Sequence, residues 1–160
     1  MNYLRLDQSF ALEAGGSLPG ITIAYHTYGR LNADRSNVVW VCHALTANSD
    51  VAHWWPGVVG EKGAIRPDDY FIVCANILGS CYGSTGPLSV DPSKPDGAPR
   101  VVDPLYGYPA TGTPFYTDFP LITIRDMVRA HILLRKHLGI EKIHLLMGGS
   151  MGGMMPGSSG

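Results

Sequence analysis

Histidine and cysteine are present in this chain but never grouped. No two of the six histidines stand four residues apart, and Cys42, Cys74 and Cys81 form no C-x-x-C pair, so no metal site is expected. An odd count of three thiols excludes a fully paired disulfide framework and reads as the reduced cysteines of a cytoplasmic protein. Charge is sparse as well. Only 16% of residues are charged and the formal net charge is −1, which leaves no basic surface for nucleic acid. No apolar run approaches the roughly 18 residues of a membrane span. The opening Met1-Asn2-Tyr3-Leu4-Arg5-Leu6-Asp7 lacks the basic and then apolar stretches of a secretory leader. There is no internal repeat. What remains is a soluble globular chain of 160 residues, a length that suggests one domain on the usual scale of about 100–200 residues.

The organisation reads as β-rich first, then alternating β and α. Residues 10–13 suggest a short strand that turns through Gly15-Gly16 and pairs with a strand at 21–28 as an antiparallel hairpin at a sheet edge. Residues 38–42 (Val-Val-Trp-Val-Cys) and 70–76 (Tyr-Phe-Ile-Val-Cys-Ala-Asn) are uninterrupted apolar runs, as expected of strands buried on both faces. From 77 to 120 the chain is dense in Pro, Gly, Ser and Asp, and residues 93–113 are expected to form an exposed proline-rich insertion. Ile124, Met127, Val128, His131, Leu134 and Leu138 recur at helical spacing, which predicts a helix over 122–138. Thr123 or Thr117 would cap its start and Gly139 its end. Residues 142–147 predict one more strand. Strands alternating with helices make this an α/β chain with a mostly parallel sheet.

Two stretches carry chemistry. The first is Gly148-Gly149-Ser150-Met151-Gly152-Gly153, reached directly from the last strand. Its G-x-S-x-G spacing is the sequence form of a nucleophile elbow, in which a strand reverses into a helix so sharply that the serine is strained and its hydroxyl exposed. A β-carbon two residues before or after the serine would collide with the turn. Five residues alone are equally compatible with a glycine-rich turn of no chemical consequence. Phosphate loops are excluded: Ser150 stands where G-x-G-x-x-G needs its second glycine, and no Gly-Lys-Ser/Thr follows. The second stretch is His43-Ala44-Leu45-Thr46-Ala47-Asn48-Ser49-Asp50, at the end of the strand 38–42. His43 is expected to be structural, bonding the backbone of its own loop.

These stretches occur in order with Asn76-Ile77-Leu78-Gly79-Ser80-Cys81-Tyr82-Gly83-Ser84-Thr85-Gly86-Pro87 and Thr123-Ile124-Arg125-Asp126-Met127-Val128. Together they resemble the homoserine O-acetyltransferases of the α/β-hydrolase superfamily, over about residues 10–154. The resemblance implies an α/β-hydrolase fold with an antiparallel N-terminal hairpin. It implies Ser150 as nucleophile, and the backbone N–H groups of Leu45 and Met151 as oxyanion donors. It further implies a ping-pong reaction that moves acetyl from acetyl-CoA through a Ser150 ester to L-homoserine, with no cofactor and no metal. The loop 79–87 would help to wall the site, with Thr46 and Asn48 as polar substrate contacts. A homodimer is expected of the full-length family member. Succinyl transfer, or serine as acceptor, is compatible with the same motifs. Two other classes remain open, an esterase using water as acceptor and a degenerate domain used for binding.

The chain departs from the family after the elbow. In this fold the triad runs serine, acid, histidine. Residues 151–160 contain no Asp, Glu or His, and all six histidines precede Ser150. The Pro156-Gly157-Ser158-Ser159-Gly160 tail interrupts the helix that the family continues. The expectation is therefore an N-terminal fragment, with residues 155–160 unlike the family, that neither catalyses acetyl transfer by itself nor stays soluble easily.

Overall fold

The computed structural model describes residues 1–94 and 112–158, so most of the expected insertion at 93–113 lies outside the described residues. The elements are β1 (Asn2–Leu6), β2 (Phe10–Ala11), β3 (Ser17–Leu18), β4 (Ile21–Tyr28), β5 (Val38–Cys42), α1 (Val51–Trp54), β6 (Phe71–Ala75), α2 (Ile124–His137), β7 (Leu145–Gly148) and α3 (Met151–Met154). Five strands form one sheet in the order β1-β4-β6-β5-β7, and β2 pairs with β3 in a separate ribbon. β6, β5 and β7 run parallel, whereas β4 is antiparallel to both β1 and β6.

The parallel centre follows from side-chain alternation. Val38, Trp40 and Cys42 of β5 enter the core that α2 covers, and Val39 and Val41 enter a second core under Val51, Val59 and Ile65. Because both faces are covered, the strand needs no polar alternation and reads as a continuous apolar run. Each wholly buried valine contributes about 1.5–3 kcal/mol relative to leaving it in water.

The expected N-terminal hairpin is corrected by the structure. Residues 10–13 do not pair with 21–28; β4 has β1 on one side, with Leu4 opposite Ile23, and β6 on the other. The turn at Gly15 (φ 96°) and Gly16 (φ 76°) returns the chain so tightly that Phe10 and Ala11 meet Leu18 and Ser17 instead. β4 is then an interior strand, with β1 at the edge. The helix α2 is two residues shorter at its start than the periodicity suggests and ends at His137. Thr123 is its cap: Thr123 Oγ1 accepts the Asp126 N–H at 3.2 Å, and Asp126 Oδ2 accepts the Thr123 N–H at 3.0 Å. At the other end Gly139 takes φ 65°, and the N–H groups of Gly139 and Ile140 donate to Lys136 O and Arg135 O, both at 3.0 Å. The final strand is Leu145–Gly148 rather than 142–147, although the His144 N–H already donates to Val38 O at 2.8 Å. α1, a single turn, is too short for apolar periodicity to mark it in the sequence. Among the described residues no helix is long and apolar enough to cross a membrane.

Candidate active site

The loops that follow β5, β6 and β7 all leave from the C-terminal ends of parallel strands, where open α/β sheets gather their ligands. The loop after β7 is the sharpest. Ser150 has φ 56° and ψ −128°, one of three non-glycine residues with positive φ among those described. Such a conformation costs on the order of 1–3 kcal/mol and persists only when neighbours enforce it. Here two glycines do so. A β-carbon on Gly148 would stand 2.5 Å from Gly152 O and 2.7 Å from Cys42 O, and one on Gly152 would overlap Cys42 O. The backbone before and after Ser150 is therefore pressed against itself and against the end of β5. Gly149 is different, with no atom within 4 Å of the place its β-carbon would take.

Ser150 is exposed, and its Oγ makes no hydrogen bond among the described residues. Met151 opens α3, so its N–H is the first of the orphan donors of that turn. α3 spans four residues, which makes its contribution an oriented N–H rather than a sizeable dipole.

The loop after β5 faces the elbow. Cys42 and Gly148 are register partners in the parallel ladder, and Leu45 and Met151 each lie three residues beyond them. The peptide that carries the Leu45 N–H is fixed from its other side. Ala44 O accepts the Ala47 N–H at 3.0 Å and stands 2.8 Å from His43 Nδ1. A carbonyl can only accept, so Nδ1 holds the proton; His43 Nε2 then accepts the Ile77 N–H at 3.3 Å. With the carbonyl pinned inward, the trans peptide turns the Leu45 N–H outward. His43 is fully buried, and burial pulls its pKa below the ordinary value, only partly offset by the bond to Ala44. It is a neutral structural histidine, as the sequence suggests. Thr46 is exposed on the same loop. Asn48 turns inward in part: its Oδ1 accepts the Asp50 N–H at 2.8 Å and its carbonyl accepts the Trp54 Nε1–H at 2.8 Å.

Behind this loop lies a polar cluster whose members come from β4, the loop after β5 and the end of β6. Tyr28 donates to Asp50 Oδ1 at 2.7 Å, and burial together with that bond raises the Tyr28 pKa. His26 Nδ1 lies 2.9 Å from Ser49 Oγ, and burial lowers its pKa, with the N-terminal charge adding and Asp50 opposing. Asn76 joins the cluster to the loop 77–87. The only sequence sign of it is an asparagine ending an otherwise apolar strand. Cys42 lies beneath the site with its thiol pushed up to about 12 by burial. Among the described residues no group of three or more His, Cys, Asp or Glu could hold a metal ion. None of the described carboxylates or histidines hydrogen-bonds to Ser150.

Residues 37–155 match the family model described as the alpha/beta hydrolase fold. The chain is 47% identical over 152 residues to a homoserine O-acetyltransferase of Chlorobaculum tepidum, a match that covers 95% of this chain and 38% of that protein. It is 46% identical over 153 residues to one from Geobacter sulfurreducens, covering 89% and 37%. Among solved structures it resembles the homoserine O-acetyltransferase from Bacillus anthracis, with a TM-score of 0.78, 30% identity and coverage of 98% and 42%. It also resembles an acetylester hydrolase from Corynebacterium glutamicum, with a TM-score of 0.73, 27% identity and coverage of 96% and 38%. The chain thus spans between a third and half of the length of the relatives it matches.

Proposed function

The chain belongs to the alpha/beta hydrolase fold family, and from that premise we propose that the whole protein transfers an acetyl group from acetyl-CoA to the hydroxyl of L-homoserine. The observation that carries this reading is the backbone of Ser150, held at φ 56° between two glycines that cannot be replaced without collision. The homoserine O-acetyltransferase relatives support the choice of substrates.

In the first half-reaction Ser150 Oγ attacks the thioester carbonyl. The Oγ–C bond forms, the C–S bond breaks, and the serine proton leaves with the thiolate as free CoA. The Leu45 and Met151 N–H groups stabilise the oxyanion of the tetrahedral intermediate, and each such donor is worth about 3–4 kcal/mol in the transition state. In the second half the homoserine hydroxyl attacks the serine ester, its proton returns to Ser150, and O-acetyl-L-homoserine departs. Thr46 and Asn48 are the polar contacts assigned to substrate on this loop, with Asn48 Nδ2 left to donate. The loop 79–87 forms part of the wall. No metal or cofactor is needed.

A general base is required to activate Ser150. The fold supplies its acid and then its histidine after the nucleophile, and residues 151–160 hold neither. We therefore propose that residues 1–160 alone do not turn over, and that the acid and histidine belong to the remaining length seen in the relatives. Residues 1–160 are read as part of one hydrolase domain. A cytoplasmic location and a homodimer of the whole protein belong to the same reading.

A second reading is favoured by the structural likeness to the acetylester hydrolase: the same acyl-enzyme discharged by water. The product of the complete reading frame containing this sequence separates the two. Given acetyl-CoA, a transferase releases CoA at a rate that depends on homoserine and yields O-acetylhomoserine. An esterase releases acetate regardless of homoserine. Replacing acetyl-CoA with succinyl-CoA, and homoserine with serine, fixes the donor and the acceptor.

A further inference from the structure

We infer that Asn76 is a positioning residue for the oxyanion loop, an inference that rests on Ser150 acting as nucleophile with the Leu45 N–H beside it. Asn76 is 1% exposed and follows directly on β6, where its N–H extends the ladder to Ala24 O at 2.8 Å. Its side-chain amide faces two loops at once. Oδ1 accepts the Ser49 N–H at 2.7 Å, while Nδ2 donates to Ser49 Oγ at 2.9 Å and to Tyr82 O at 2.8 Å. The Asn76 carbonyl accepts the Ser84 hydroxyl at 2.6 Å, and Ser84 Oγ in turn accepts the Ala24 N–H at 3.0 Å. Every polar group of Asn76 is engaged.

The next residue completes the arrangement. The Ile77 N–H holds His43 Nε2 at the start of the loop 43–50, and the Asn76 amide holds Ser49 near its end. Two consecutive residues at one strand terminus thus grip both ends of the loop that presents the Leu45 N–H. The same amide ties that loop to 77–87, so the oxyanion donor and the proposed wall of the site move together. An amide is the side chain that fits, since the site asks for one acceptor toward Ser49 and two donors toward Ser49 Oγ and Tyr82 O. A carboxylate of the same shape has no donor and sets an oxygen against the Tyr82 carbonyl.

The test uses the product of the complete reading frame, with p-nitrophenyl acetate as an acyl donor that requires neither CoA recognition nor homoserine. Asn76→Asp is expected to slow formation of the Ser150 ester about 10- to 100-fold, the range associated with small misplacement of a catalytic group. The KM is expected to change by less than about threefold, because the lost interaction serves the transition state. The rate relative to wild type should recover as the pH falls, since the buried carboxyl has a raised pKa and once protonated regains one donor. His26, His43, Asp50 and Tyr28 face the same cluster in both proteins, so their shared titration cancels in the ratio to wild type. What remains is the new carboxyl together with the shift its charge imposes on His26 through Ser49.

A folded Asn76→Asp protein that acylates at the wild-type rate overturns the inference, as does slowing expressed wholly in KM. If Asn76→Asp does not fold, Ser49→Ala carries the test. It removes the Oγ contacts to Asn76 Nδ2 and to His26 Nδ1, keeps the Ser49 N–H bond, and should lower the acylation rate at least about threefold at unchanged KM; an unchanged rate refutes the role. Failure of wild type to acylate Ser150 at all would overturn the proposed function instead. Acylation by the ester but not by acetyl-CoA would reject the donor while leaving the Asn76 measurement readable.

Discussion

Of the four glycines that flank Ser150, two should be irreplaceable and two dispensable. A methyl at position 152 would overlap Cys42 O and stand 2.7 Å from both the Cys42 carbonyl carbon and His43 O, where ordinary contact begins at 3.4 Å. At 148 it would stand 2.5 Å from Gly152 O and 2.7 Å from Cys42 O. All of these neighbours are main chain, and Cys42 and Gly148 belong to one ladder, so no rotamer change relieves the overlap. Overpacking against side chains costs about 1–3 kcal/mol, and Gly148→Ala and Gly152→Ala should lie at or above the top of that range. If the backbone yields instead, Leu45 and Met151 lose their mutual register, and a shift near 1 Å is enough to slow acylation about 100-fold. Gly149→Ala meets no atom within 4 Å, and Gly153→Ala comes no closer than 3.4 Å to Gly148 O, inside a helical turn. These two should change stability by less than about 1 kcal/mol and tend to raise it, because alanine restricts the unfolded chain and favours helix. Denaturant unfolding and acylation rates of the four variants in the complete protein decide the matter. Equal losses at 149 and 152, or a stable and active Gly152→Ala, would refute the steric account of the elbow.

His131 and the cysteines give independent checks. Burial lowers the His131 pKa to about 3, with a smaller contribution from His43, and its ring lies 5.9 Å from that of Trp40. Neither ring nitrogen has a partner among the described residues. Between its unfolded value and about 3 the unfolded chain binds a proton that the folded chain refuses, so stability falls with falling pH by up to about 1.4 kcal/mol per unit. His131→Leu should remove one proton's share of that slope, measured as the unfolding free energy at pH 7 and pH 5, and should cost little at pH 7. An unchanged slope would mean that His131 is protonated in the folded state. For residues 1–160, a thiol reagent should titrate Cys81 alone in the folded state and all three cysteines after denaturation, since Cys42 and Cys74 are buried and burial raises both thiols. Rapid reaction of two or three would contradict the packing of β5 and β6.

Much of this was legible in the sequence, for reasons that differ by element. β5 and β6 declare themselves because a strand covered on both faces tolerates no polar residue. The elbow is legible because its glycine spacing survives in a short stretch, although the atoms that demand glycine at 152 belong to Cys42 and His43 at the end of β5. α2 carries its apolar stripe and its terminating Gly139, while the choice of Thr123 over Thr117 as its cap comes from the Asp126 contacts of the structure. β1 has no sequence signal because only Leu4 of its five residues is buried, so its identity as a strand comes from β4 rather than from its own pattern. The pairing of residues 10–13 failed because a turn's exact return decides the partner. Asn76 was illegible because its bonds join residues 27 positions apart. β7 shows a different limit. Leu145 and Leu146 read as core but are 41% and 37% exposed on the outermost strand, an apolar edge that should make residues 1–160 prone to associate.

The most direct test of the account is the covalent state of Ser150 after brief mixing of the complete protein with acetyl-CoA. Peptide mass spectrometry should find acetyl on Ser150, cleared by L-homoserine as O-acetylhomoserine appears, and absent from Ser150→Ala, which should not turn over. Acetyl on another residue, or turnover that survives Ser150→Ala, would contradict the elbow as the site of chemistry.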